Sequence, residues 1–342
     1  MKKHLNTLFV TTQGAYLAKE GETVVVKVDR EAKLRLPIHT LSGIVCFGNI
    51  NMSPFLMGFC AERDVAVSFL TENGRFLARV QGPVSGNVLL RREQYRRADQ
   101  ERFSAEVARA VVTGKVANGR TVLRRALRDH AEKVDKAAIE RAVNRMTAAL
   151  KSLQGHSELE TIRGVEGDAA HAYFSVFDQL IVRDKEKFFF HVRNRRPPLD
   201  RVNGLLSFLY TLVLHDVRSA LECTGLDPAV GYLHRDRPGR PGLALDLMEE
   251  FRPLTDRLVL SLINLGQVKA SGFKITESGA VRMDEKTRKT VLVAYQKRKQ
   301  DVMVHPFLDK KMPLGLLFHT QALLFARYLR GDLDGYPPVI WQ

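Results

Sequence analysis

Hydrophobic periodicity changes once along this chain, and the change restricts it to a β-rich N-terminal part followed by a helical one. Up to about residue 88 the apolar residues fall in short runs rich in β-branched and aromatic types. Examples are Asn6–Val10, Thr23–Val28, Gly43–Phe47, Val65–Leu70 and Phe76–Gln81. Asn73-Gly74 separates the last two, and both residues tolerate positive φ, as a hairpin turn requires. One helix interrupts the strands. Ser53-Pro54 supplies an N-cap and a first-turn proline, and Phe55, Leu56, Phe59 and Cys60 recur on one face behind it.

Past residue 88 the period becomes helical. Residues 89–97 (Leu-Leu-Arg-Arg-Glu-Gln-Tyr-Arg-Arg) read as an exposed basic connector or a helix start. Residues 103–150 carry amphipathic stretches, with polar breaks expected near Thr113–Asn118 and Gly155. Further helices are predicted over Gly167–Ile181, Val202–Leu221 and Leu243–Leu265, the last kinked or split by Pro253 near Phe251-Arg252. A hairpin at Thr276–Gly279 and basic helices over Glu285–Gln300 and Leu314–Arg330 complete the pattern. The fold class is therefore α+β: a β-rich domain over 1–88, a connector over 89–97, and an all-α domain over 98–342.

The net charge of +15 favours a polyanionic partner, chiefly nucleic acid. Residues 1–90 hold ten Lys or Arg against seven Asp or Glu, so most of the excess belongs to the helical part. A basic but merely soluble surface accounts for charge equally well. No apolar run approaches the roughly 20 residues of a membrane span. The first residues lead into strand-like sequence and not into a secretory core, and Cys46, Cys60 and Cys223 lack paired spacing. A disulfide framework is not expected, and a cytoplasmic location fits.

Three places carry chemistry. Glu166, in Gly164-Val-Glu-Gly-Asp-Ala-Ala-His-Ala-Tyr-Phe174, is expected in the first turn of a helix, with Gly167, Ala169 and Ala170 keeping the next turn thin. His234 ends Gly231-Tyr-Leu-His and opens a loop rich in glycine and arginine. Asp246 and Glu249 lie three apart in Asp-Leu-Met-Glu-Glu-Phe-Arg-Pro, on one helical face. Each has a plainer reading: a helix-start acid, a hydrogen-bonded loop histidine, a surface acidic stripe. Together, two carboxylates and one imidazole suit Mg2+ or Mn2+ better than zinc. Phosphodiester chemistry uses such an ion. Arg235, Arg237, Arg240 and Arg252 lie close in sequence and are candidates for gripping flanking phosphates.

These motifs resemble a known family. Gly-x-Glu-Gly-x-Ala-Ala-x-x-Tyr-Phe, then Asn203 on an apolar helix, then Gly-Tyr-Leu-His, then Asp-Leu-Met-Glu-Glu-Phe-Arg-Pro follow the order seen in the CRISPR-associated adaptation endonuclease and integrase, the Cas1 family. The length and the last motif look most like the type I-C form. The resemblance implies that Glu166, His234 and Glu249 are the metal ligands and that Asp246 is a supporting or additional acid. It implies DNA contacts near Asn203 and a homodimer joined through the β domains. It also implies a Cas2 partner and double-stranded DNA substrates, the prespacer and the CRISPR array, joined by direct transesterification. Two other readings stand beside it: a free-standing metal-dependent nuclease on branched DNA, and a non-catalytic DNA-binding scaffold.

Overall fold

The computed structural model describes residues 6–82 and 88–341, which divide into two compact units. The first unit holds β1 (Asn6–Val10), β2 (Tyr16–Glu20), β3 (Thr23–Val28), β4 (Glu31–Pro37), β5 (Leu41–Phe47), β6 (Asn51–Met52), α1 (Pro54–Glu62), β7 (Ala66–Leu70) and β8 (Phe76–Val80). They form two four-stranded sheets, ordered β1-β5-β7-β8 and β4-β3-β2-β6. In the first, β1, β5 and β7 run parallel, and β8 returns antiparallel to β7 through the Asn73-Gly74 turn, where Gly74 takes φ +87°. Ser53 caps α1 by accepting from the Leu56 amide at 3.2 Å. Leu17, Val24, Ile44, Cys46, Leu56 and Phe59 meet in the core between sheets and helix. Strand β4 carries exposed Lys33 and Arg35, charges that discourage an edge strand from pairing further.

The second unit is helical: α2 (Val88–Ala98), α3 (Glu101–Asp129), α4 (Lys136–Gly155), α5 (Leu159–Ser175), α6 (Arg201–Cys223), α7 (Gly242–Met248) and α8 (Arg252–Asn264). Along the chain there follow the short hairpin β9 (Phe273–Ile275) and β10 (Val281–Met283), helix α9 (Glu285–Gln300), which belongs to the first unit, the hairpin β11 (Val302–His305) and β12 (Lys310–Pro313), and α10 (Leu314–Leu329), whose first residues also belong to the first unit. Two small hairpins thus qualify the all-α description. No helix among the described residues is long and apolar enough to cross a membrane, and none of the three cysteines is in a disulfide.

Several expectations change. Of the two readings of residues 89–97, a connector or a helix start, the helix is the one formed, as most of α2. Its Gln94 is fully buried, donating to the Asp227 carbonyl at 2.7 Å and accepting from the Asp227 amide at 2.9 Å. The division is also not a single cut near residue 88, because Met283–Asp301 belongs to the first unit. Helix α9 packs Val291, Leu292 and Tyr295 inward, and Arg288 donates to the Glu72 carbonyl at 2.7 Å. Lys299 is buried beside Thr7, its ammonium 3.2 Å from the hydroxyl. The break expected at Thr113–Asn118 is absent. Helix α3 runs through it for 29 residues because Lys115 and Asn118 turn their polar groups to partners inside the unit. Pro253 acts as foreseen: a 3-10 turn at Glu249–Phe251 separates α7 from α8.

Candidate active site

Helices α3, α5, α6, α7 and α8 wall a cleft of about 610 Å3 in the second unit. Glu166, His234 and Glu249 all line it. Glu166 is not in a first helical turn, because α5 begins at Leu159 and Gly164 does not break it, so its carboxylate owes little to the helix dipole. A Cβ built on Gly164 or Gly167 meets nothing, so these glycines leave open space beside Glu166 rather than admitting another helix.

His234 is held from two directions. Gly231 and Gly242 approach so closely that a Cβ on Gly231 would lie 2.6 Å from the Gly242 carbonyl carbon, which pins the two ends of the loop together. Asp246, fully buried, then accepts from the amides of Tyr232 at 2.6 Å, Leu233 at 3.0 Å and His234 at 2.9 Å, and from His234 Nδ1 at 2.7 Å. The Asp246 carboxylate accepts from Nδ1, which fixes the ring and leaves Nε2 as the nitrogen available to a ligand. Asp246 therefore has no oxygen left to ligate and serves by orienting His234. Arg163 adds a bond from Nε to the Leu233 carbonyl at 3.0 Å.

Lys115 lies between the two glutamates. Its Nζ pairs with Glu166 Oε1 and stands 2.6 Å from Glu249 Oε2. Burial works against this ammonium, but Glu249 and Glu166 outweigh it and raise its pKa. Glu249 is buried and sits on the turn between α7 and α8, its Oε1 accepting from Arg252 Nε at 2.7 Å. Burial alone would neutralise it. Arg252, Lys115 and His234 prevail and hold its pKa down to about 2.

Other walls are basic or aromatic. Arg193, Arg195, Arg196 and Arg252 line the cleft, as do Tyr210 and Asp256. Arg252 stacks 4.6 Å from the Tyr210 ring centroid. Asp256 accepts from the hydroxyls of Tyr173 and Tyr210, yet burial still lifts its pKa to about 6. Asn203 is misplaced as a DNA contact. It is fully buried, accepting from Arg193 at 2.7 Å and donating to the Val192 carbonyl and to Asp200, so it positions Arg193. Arg235 is exposed and paired with Glu160, and neither it nor Arg237 nor Arg240 is among the residues walling the cleft. Sequence reasoning missed Lys115, Arg193, Arg195, Arg196 and Asp256. The run Arg193-Asn-Arg-Arg-Pro-Pro198 was the legible signal for the arginines.

Among the described residues no three His, Cys, Asp or Glu side chains already stand as a metal-binding group. The donor set nevertheless suits a hard divalent ion: two carboxylates and an imidazole. Glu249 Oε2 is buried without a well-directed hydrogen bond, although the Lys115 ammonium is near it. The site thus already collects positive charge between its carboxylates, with lysine supplying it.

Residues 8–297 match the family model described as CRISPR associated protein Cas1. The CRISPR-associated endonuclease Cas1 1 of Chlorobaculum tepidum is 60% identical over 343 residues, covering 100% of both chains. The chain belongs to the Cas1 endonuclease family. Solved structures share the fold. A casposase bound to integration product superposes with a TM-score of 0.84 at 22% identity, covering 98% of this chain and 94% of the other. A Cas6-RT-Cas1–Cas2 complex matches with a TM-score of 0.79 at 22% identity, covering 98% of this chain and 36% of that one. The α+β organisation expected from the periodicity is the organisation of these solved structures.

Proposed function

We propose that the chain is a metal-dependent DNA endonuclease and integrase, which joins the 3′-hydroxyl ends of a prespacer duplex to phosphodiesters of a CRISPR repeat. The observation that supports this most is that Glu166, His234 and Glu249 line one arginine-walled cleft, in which the Lys115 ammonium pairs with both glutamates. Glu166, Glu249 and His234 Nε2 would hold Mg2+ or Mn2+ once the ammonium turns aside. Such an ion polarises a phosphate oxygen and offsets charge at phosphorus. The chain's own residues do the rest. Asp246 fixes the tautomer and aim of His234, and Arg252 keeps Glu249 ionised. Arg193, Arg195 and Arg196 offer forked donors to phosphates on either side of the scissile bond. The attacking 3′-oxygen forms one P–O ester bond as the repeat's P–O ester bond breaks, so the step needs no nucleoside triphosphate.

The reading includes a homodimer joined through the β-rich unit, a Cas2 partner and a cytoplasmic setting. Fold neighbours solved with an integration product and in a Cas1–Cas2 complex support the substrate and the partner. The test is strand transfer into a plasmid carrying the repeat, with purified chain, its Cas2 partner and prespacer duplex. Wild type should yield joined product. Glu166→Ala should lose at least the roughly 100-fold that even supporting residues of a metal site can cost, while still binding the duplex. Cleavage of branched DNA without any joining would replace integration by the hydrolytic nuclease reading. Full transfer by Glu166→Ala would remove that residue from the site.

A further inference from the structure

A second cavity of the helical unit shares no lining residue with the cleft. It measures about 410 Å3 and is walled by Arg120, Arg124, Arg125 and Arg128 of α3, Arg257 of α8 and Trp341 near the chain end. Among the described residues no acidic side chain lines it. Asp129 takes up Arg125 at 3.0 Å and Arg128 at 2.9 Å, on the exposed side of the helix. Arg120 is half-buried. Its Nη1 donates to Thr147 at 3.1 Å, but its Nε is buried and finds no acceptor among the described residues. The indole Nε1 of Trp341 is likewise buried without an acceptor, although the main-chain amide of the same residue is bonded to Asn118 at 3.2 Å.

Native structures leave few buried donors unmatched, and two at one cavity call for a cause. Burial and the neighbouring Arg124 both push the Arg120 guanidinium below its ordinary pKa. We propose that this cavity is a phosphate-binding site, in which a tetrahedral oxyanion supplies the acceptors and the charge that Arg120, Arg124 and Trp341 lack. Guanidinium forks match the paired oxygens of a phosphate, and a phosphate has oxygens to spare for an indole N–H as well. The phosphate can be free, as in inorganic phosphate or a mononucleotide, or belong to the backbone of bound DNA. The chemistry is the same in either case.

Trp341 is the single tryptophan of the chain, so its fluorescence reports on this cavity directly. The full-length chain is titrated with inorganic phosphate, and separately with duplex DNA, at constant ionic strength maintained with chloride. A saturable change in Trp341 emission is expected, weakened about tenfold or more in Arg120→Met and in Arg124→Ala. Arg124 is exposed, so its variant keeps the test alive even if Arg120→Met fails to fold. A response to phosphate identifies a free-anion site. A response to duplex alone, weakened by Arg124→Ala, assigns the bound phosphate to DNA. The proposal is overturned if neither probe gives a saturable change, or if the folded variants titrate like wild type.

Discussion

Asp246 receives four N–H groups, three from the main chain and one from His234, and turns no oxygen to the cleft. Asp246→Asn keeps the shape but sets an amide N–H2 against N–H donors. Its Mn2+ affinity should fall about 10–100-fold, the usual cost of losing such a support. Stability should fall by about 1–3 kcal/mol for the unmatched buried groups. Calorimetric titration and urea unfolding measure both, and unchanged Mn2+ affinity would deny Asp246 its orienting role. At this scale the ligand candidates were legible because each is embedded in its own short motif. Lys115 was not, since it falls in Thr113–Asn118, a stretch that reads as a polar break between helices. The overlooked clue is spacing: Lys115 and Asn118 lie three apart among buried residues, where charge needs a partner. Asn203 misled for the same reason in reverse, a polar residue on an apolar helix whose amide is spent on the backbone.

The turn between α7 and α8 ties the cleft to the end of the chain. Glu249 faces the cleft, and Glu250 beside it is buried, accepting from the Val339 amide at 2.7 Å, Gln321 at 3.1 Å and the Tyr336 hydroxyl. Asn118 binds the Val339 carbonyl at 2.8 Å, so the apolar tail docks on its own unit. Burial lifts the Glu250 pKa from 4.5 to about 7, despite these donors. A folded pKa above the unfolded one means that the folded state holds the extra proton. The stabilisation is complete below pH 4.5 and is lost as pH rises through 7. Asp256 acts with the same sign between 3.8 and about 6, while Glu249, depressed to about 2, loses its contribution only as pH falls below 4.5. Glu250→Gln should therefore flatten the decline in unfolding free energy between pH 4.5 and 7. Denaturant titrations across that range check it, and an unchanged slope would count against a buried proton at Glu250. Helix boundaries near this turn were foreseen because proline fixes them. The uninterrupted α3 was not, because its polar positions satisfy partners distant in sequence.

For the whole molecule, charge and periodicity foretold a basic helical unit behind a β-rich one. They could not show that Met283–Asp301 rejoins the first unit, since an amphipathic helix does not declare which core it covers. The charge excess makes DNA affinity fall with salt under any reading. If exposed Arg195 and Arg196 hold phosphates, their double Ala variant should shallow the slope of log affinity against log salt by about two. Fluorescence anisotropy over a salt series gives that slope, and an unaltered one would place the DNA path elsewhere. Binding alone does not distinguish an enzyme from a scaffold, whereas a bound ion does. The most direct measurement is calorimetric titration of Mn2+ into wild type and into Glu166→Gln, His234→Ala and Glu249→Gln, each with its fold verified. One ion per wild-type chain, lost in all three variants, is the expected result. Uptake by the variants equal to wild type would contradict the site.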